Sequence, residues 1–276
     1  MRNIGMKIIG MFSLFTSKDS KPVVITFTGG MGAQVISAAI YFFLKNEGRE
    51  VYADLSYFEK SVHVAVEGNI GDVAHWGWQL QPFGLFLESF QRLPNIGRRK
   101  YKVIRDGEEK LVLGIKALGM ASIQKYFIDE KSLEDILPPE FIPNYLCVHV
   151  RRGDYVNVAS YLVNDNMFIE LANKIAGLVS CVVIVSDSVI NDSFRREICN
   201  VYQKAIFLDG VNAFAAHRIM RNARVLICSN SQFSLTAALL NKRALVFLPK
   251  KWVSKKYQKL EVPINDLCGF QTLVSK

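Results

Sequence analysis

The chain has 276 residues, 50% of them apolar and 21% charged, which suits one large or two small α/β domains and excludes a disordered, collagen-like or coiled-coil chain. Its 34 Lys and Arg against 25 Asp and Glu leave a net charge of +9, a balance that favours an anionic partner (nucleic acid, an anionic membrane surface or a phosphorylated small molecule) without choosing among them. Five cysteines without CxxC spacing, and four histidines that form no ligand pairs with them, argue against a disulfide framework and a zinc site; Cys147, Cys181 and Cys228 lie in or beside strand-like runs and read as small buried hydrophobes.

Residues 1–20 form a mildly apolar N-terminal segment. Lys7 interrupts it, it is shorter than the roughly 20 residues of a membrane helix, and it lacks a small-residue cleavage site. No later stretch is apolar enough to span, so the expected location is cytoplasmic, soluble or peripheral at the inner face of a membrane. Val23–Thr28 is β-branched and uncharged and reads as a buried strand. Gly29, Gly30 and Gly32 read as a turn, Gln34–Asn46 as a buried helix ended by Gly48, and Glu50–Leu55 as a second strand. This βαβ unit predicts a parallel sheet with a right-handed crossover. Residues 61–114, with Trp76, Trp78 and the basic run Arg98–Lys100, show no clear period, and no element is assigned to them.

Pro138, Pro139 and Pro143 then punctuate the chain and set the expected boundary between an N-terminal domain, 21–140, and a C-terminal domain, 141–276. Beyond them, strands at Tyr145–Val150, Cys181–Ser186, Ala205–Leu208, Val225–Cys228 and Ala244–Leu248 alternate with helices at Asn166–Leu178, Asn191–Asn200, Asn212–Arg221 and Gln232–Leu240. Five strands separated by helices predict an α/β fold with a doubly wound, mostly parallel sheet.

Ligands of open parallel sheets bind past the carboxyl ends of the strands, so the loops there carry the chemistry. The first, GGMGAQ (29–34), lets backbone approach a ligand at a helix start, or merely connects strand to helix. A dinucleotide fingerprint would need a third glycine where the chain has Val35, and no Walker loop occurs. In HVRRGDY, strand alternation puts His149 and Arg151 on one face with Arg152 at the exit, a ready pyrophosphate site for forked guanidinium groups. Asp154 is placed to orient an arginine or take a proton; the bland alternative is an Arg–Asp ion pair capping the strand. In SNSQFS, Ser231 or Asn230 caps the next helix, and helix-start amides with hydroxyls also bind phosphate or ribose. Ser186-Asp187 and Asp209-Gly210 each set a carboxylate at a strand end, as a ribose or base contact or as a turn former. No GxSxG, HExxH or DxD occurs, so charge on a leaving diphosphate would fall to arginines, lysines and helix ends.

These residues resemble the α-1,2-fucosyltransferases of glycosyltransferase family 11. HVRRGDY resembles that family's HxRRGDY, and GGMGAQ its GGLGNQ turn. Gln124–Phe127 resembles QSEKYF, and VIVSDS resembles FSDD. The run from Phe207 to Asn241 resembles the closing motif with NSSFSWWAAWLN, and LPKKW resembles APKxW. The likeness runs in order from Gly29 to Trp252 and departs from the family pattern at Ala33, Ser188, Leu235 and Thr236.

The resemblance implies a GT-B-like pair of Rossmann-type domains and a metal-independent, inverting transfer from a GDP-sugar, normally GDP-L-fucose, to a glycan hydroxyl. No cofactor is implied beyond that donor. It implies that Arg151 holds the β-phosphate, with Asp154 as the second catalytic candidate. Arg152 would support the loop, and His149 would line the nucleotide site. Ser229, Asn230, Ser231 and Phe233 would sit at the nucleotide-sugar, with Ser186, Asp187 and Asp209 near it. Gly29, Gly30, Gly32 and Gln34 would line the cleft.

An oligosaccharide or lipid-linked acceptor is the expected second substrate, in surface polysaccharide or O-antigen synthesis, and a related deoxy-sugar donor stays open. The lysines of Pro249–Leu260 around Trp252 and Tyr257 read as an anionic-membrane patch or as a solvated loop. Two other readings remain at this level. One is a non-catalytic binder of nucleotide or nucleic acid, although RNA-type signatures are missing. The other is an inactive subunit of a glycan-assembly complex.

Overall fold

The computed structural model describes residues 21–59, 77–90, 101–128, 132–142, 144–157, 162–249 and 270–273. Two sheets organise them. In the first, β1 (Val23–Thr26), β2 (Val51–Asp54) and β3 (Lys102–Ile104) lie parallel in the order β2-β1-β3. In the second, β4 (Tyr145–Val150), β5 (Cys181–Ser186), β6 (Lys204–Asp209), β7 (Val225–Ile227), β8 (Leu245–Pro249) and β9 (Phe270–Leu273) follow the order β6-β5-β4-β7-β8-β9. All pairs there are parallel except β8–β9. Mostly parallel sheets in two Rossmann-type units match the expected α/β, GT-B-like class.

The principal helices are α1 (Met31–Asn46), α2 (Glu108–Leu118), α3 (Asp165–Lys174), α4 (Asp192–Val201), α5 (Ala213–Asn222) and α6 (Gln232–Leu240). α1 is apolar all round because it is enclosed: every residue from Val35 to Leu44 is buried. It begins at Met31, so Gly32 stands inside its first turn rather than in the preceding loop. Asn164, Asn191, Asn212 and Ser231 cap α3, α4, α5 and α6 with side-chain acceptors. β3 and most of α2 occupy the stretch to which the sequence assigned nothing. A three-residue strand is too short to show a period, and its neighbours in the sheet define it.

Strand alternation divides the second sheet between two cores. Tyr145 and Cys147 of β4, with Cys181, Val183 and Val185 of β5, face the larger core under α5 and α6, which continues into α1, α2 and the first sheet. Leu146, Val148, Val150, Val182 and Ile184 face the smaller core under α3 and α4. The buried thiols of Cys147, Cys181 and Cys228 fill space as expected, while Cys199 is exposed.

The segment Gln124–Phe127 stitches the two sheets together. Gln124 donates to the carbonyls of Leu118 and Leu239, at 2.9 and 3.2 Å, and Arg221 donates to the Phe127 carbonyl at 2.8 Å. Tyr126 stacks on Phe42 of α1 with ring centroids 4.0 Å apart.

Candidate functional site

The second sheet changes winding direction at β4, with β5 on one side and β7 on the other. The crevice of such a sheet opens beyond the carboxyl ends of those central strands. Two loops distant in sequence, Arg151–Tyr155 and Cys228–Ser234, leave the paired strands β4 and β7 there. His149 is on the α5–α6 side of β4 by alternation, is buried, and brings Nδ1 to 2.7 Å from Ser229 Oγ. Ser234 donates to the carbonyls of Ser229 and Ser231, at 3.1 and 3.2 Å, which folds the loop into a tight bracket before α6. Ser231 accepts from the Phe233 amide at 3.1 Å and caps the helix, as its position in the sequence predicts. Asn230 is buried to 9% exposure on the same turn, and its side chain bonds to no group among the described residues.

The β4 exit is built from ion pairs. Arg151 pairs with Asp187, Nη1 to Oδ2 at 2.6 Å, and lies over the Tyr155 ring at 5.1 Å. The other Asp187 oxygen accepts from the Arg152 amide at 2.7 Å, and Ser188 Oγ accepts from the Gly153 amide at 3.2 Å. The SDS strand end thus clamps the RRGDY turn. Ser186 Oγ is buried and accepts from the Ser188 amide at 3.1 Å.

Arg152 turns the other way. It pairs with Asp165 at the start of α3 and donates to the carbonyls of Arg151 and Val163 at 3.1 and 3.3 Å. Its guanidinium supports the loop. Asp209 pairs with Arg195 and accepts from the Ile190 amide at 3.2 Å, while its Oδ1 is buried and meets no donor among the described residues. The backbone of Asp154 lies in a 3₁₀ turn over Gly153–Asn157, and its side chain lies outside the described residues.

Phe233 is held between two imidazoles, with ring centroids 5.4 Å from His149 and 5.3 Å from His217. His217 is fully buried, with Nε2 3.1 Å from Thr236 Oγ1. Thr236 donates its only hydroxyl proton to the Phe233 carbonyl at 3.0 Å, so the His217 proton sits on Nε2. Nδ1 is then a bare acceptor, buried and without a donor among the described residues. Burial first, then the charges of Arg221 and His149, hold this imidazole well below its ordinary 6.5. Sequence reasoning passed over His217, because only α5 packing against α6 brings it to Phe233.

The glycine turn closes the crevice from the first sheet. Gly29 has φ +68°, a left-handed conformation that favours glycine. A Cβ on Gly32 would stand 2.5 Å from both the Gln232 carbonyl carbon and the Phe233 amide nitrogen. This glycine is what allows the starts of α1 and α6 to touch. Gly30 is the N-cap of α1, which has no side-chain cap and no acidic residue in its first turn. Gln34 is fully buried, donates to the carbonyls of Gly29 and Gly77 at 2.9 and 2.8 Å, and accepts from the Gln79 amide at 2.9 Å. It fastens the turn rather than facing a ligand. Two helix starts therefore converge on the crevice with their positive ends toward it.

Among the described residues, no three His, Cys, Asp or Glu side chains gather to hold a metal ion, and no helix is long and apolar enough to cross a membrane. The N-terminal segment 1–20 and the lysine-rich run beyond Pro249 lie outside the described residues.

Arginine, hydroxyls and helix starts at the switch point of a parallel sheet are the arrangement by which open α/β proteins take up nucleotides. The sequence pattern of glycosyl transferase family 11 matches residues 122–264, and the chain belongs to that family. Among solved structures the chain is similar to the fucosyltransferase NodZ from Bradyrhizobium at 11% identity, over 83% of this chain and 95% of that one, with a TM-score of 0.43. It is similar to POFUT1 in complex with GDP at 15% identity, over 83% and 96%, with a TM-score of 0.42. The E. coli heptosyltransferase WaaC follows at 11% identity, over 82% and 88%, with a TM-score of 0.42. No curated protein matches the chain in sequence.

Proposed function

We propose that the protein is an inverting, metal-independent glycosyltransferase. It moves a fucosyl or related deoxy-sugar residue from a GDP-sugar to a glycan hydroxyl, α-1,2 on a galactoside in surface polysaccharide or O-antigen synthesis. The observation that carries this reading is Arg151. In a chain of family 11, its guanidinium leaves the carboxyl end of β4, held by Asp187 and Tyr155.

A guanidinium has five donors in a rigid fork that matches phosphate oxygens. In this reading Arg151 binds the β-phosphate oxygens and stabilises the charge that grows as the sugar–diphosphate bond breaks. The starts of α1 and α6 add positive dipole ends without a metal. Asn230, Ser231 and the Ser229–His149 pair line the diphosphate side, with Phe233 as the apolar wall. The bare Asp209 Oδ1 accepts from the ribose or the base, and Arg152 acts through the loop it supports. The acceptor enters past the Gly29–Gln34 turn. A lipid-linked acceptor would bring the enzyme to the inner membrane face.

The test incubates the purified protein with labelled GDP-fucose and other GDP-sugars, with and without lactose and N-acetyllactosamine. Acceptor-dependent GDP release, with GDP-fucose preferred and a β-linked product from a non-fucose donor or an α-linked one from GDP-β-fucose, is the expected result. Binding of GDP with no release from any donor would make the chain a non-catalytic nucleotide binder.

A further inference from the structure

The first sheet has a switch point of its own. Its order is β2-β1-β3, so the winding changes at β1 and the opening lies beyond the carboxyl ends of β1 and β3. Three side chains converge there. Thr28, just past β1, donates from Oγ1 to Asp106 Oδ2. Lys110, on the first turns of α2, donates to Asp106 Oδ1 at 2.7 Å and to the Thr26 carbonyl at 2.5 Å. Lys110 is almost fully buried, whereas the Asp106 side chain is 54% exposed.

A buried ammonium and a hydroxyl thus hold a half-exposed carboxylate. Burial lowers the Lys110 pKa from its ordinary value, and the bond to Asp106 opposes that shift. The cluster adjoins the glycine turn. Gly29 follows Thr28 directly and donates its amide to the Tyr57 hydroxyl, which also feels the Asp106 charge. Three residues on, Gly32 touches Gln232 and Phe233 at the start of α6. The glycine turn therefore links the Asp106 cluster, beyond the first sheet, to the start of α6, beyond the second.

We propose that Asp106 is the general base that takes the proton from the acceptor hydroxyl, positioned by Thr28 and Lys110. This rests on the transferase reading above. Inversion needs the nucleophile to arrive opposite the leaving diphosphate, so a base belongs on the wall facing Arg151. The Asp154 backbone lies in the turn that follows Arg151. In the step, the acceptor O–H proton passes to the Asp106 carboxylate and the freed oxygen forms a bond to the sugar C1. The C1–O bond to the diphosphate breaks, its electron pair leaves with GDP, and Asp106 returns the proton to water.

The experiment compares wild type with Asp106→Asn, Asp106→Glu and Asp154→Asn. It measures GDP affinity, thermal stability, hydrolysis of GDP-fucose without acceptor, and transfer to the best galactoside of the panel above. For Asp106→Asn we expect unchanged GDP affinity, a lower melting temperature because the buried Lys110 loses its counter-charge, residual donor hydrolysis, and transfer lowered by about 10²–10⁴-fold, the usual worth of a general base. Transfer within about threefold of wild type overturns the proposal, and so does selective loss of transfer in Asp154→Asn alone. Should Asp106→Asn lose its fold, Asp106→Glu retains the charge facing Lys110. It must then lower transfer relative to donor hydrolysis, and an unchanged ratio overturns the assignment. Failure of the wild type to release GDP from any donor would instead overturn the transferase reading itself.

Discussion

Arg151 reaches the carboxyl end of β4 already fastened on two sides, by the Asp187 carboxylate and by the Tyr155 ring. Such a group costs little reorganisation when charge develops beside it. Arg151→Ala is expected to lower kcat by about 10²–10³-fold with the fold retained, the usual loss for one stabiliser of transition-state charge. Arg151→Lys should recover little, because an ammonium cannot keep both the Asp187 contact and a two-pronged grip on phosphate. Steady-state kinetics with circular dichroism as the fold control checks both, and near-wild-type turnover would remove Arg151 from the mechanism.

His217 gives a second expectation at this scale. Its folded pKa lies below that of the unfolded chain, so the unfolded state binds the extra proton first as pH falls. Its contribution to stability is therefore full above about pH 6.5 and is lost as pH falls below that. The melting temperature should drop between pH 7 and pH 5, and His217→Gln should show a shallower drop. Equal slopes would mean that other groups govern acid sensitivity.

α1 and α6 show how elements build the site. Each begins at a strand end of a different sheet, and Gly32 lets them meet start to start. Two positive helix ends in contact repel unless an anion or solvent lies between them. Gly32→Ala inserts a methyl group into backbone atoms that no rotamer change can clear. We expect a loss of about 1–3 kcal/mol, in the range of overpacked interiors, with GDP binding weakened more than the lower melting temperature alone explains. A variant as stable as wild type would show that the two helix starts separate freely. The parallel pairing of β4 with β5 works at the same scale. Val150 lies opposite Ser186, so Arg151 and Asp187 emerge side by side one residue later.

At the scale of the whole molecule, the two sheets divide the proposed labour. Leaving-group chemistry lies on the second sheet, proton abstraction on the first, and a continuous hydrophobic core holds the two together. In the proposed mechanism, charge on the departing diphosphate is met by Arg151 and two helix ends. Transfer should therefore persist in excess EDTA. Complete loss on chelation, reversed by adding back a divalent cation, would reveal a metal role. A modest stimulation by Mg²⁺ would not.

The strands and helices between Tyr145 and Pro249 follow from local sequence, because buried parallel strands are β-branched runs and the helices between them carry their own caps. The ordered motifs likewise declared the family, since HVRRGDY and SNSQFS carry residues that a turn alone does not need. Partnership was illegible at that level. Asp187 engages Arg151 because the ladder register, a property of paired strands, sets which strand ends are neighbours. His217 reads as an ordinary helix residue until α5 packs on α6, and Gly32 as a turn former until two sheets close on it. β3, and with it Asp106, emerges only when β1 offers an open edge to three residues too few to declare themselves, since a short strand owes its existence to its neighbour's unpaired backbone.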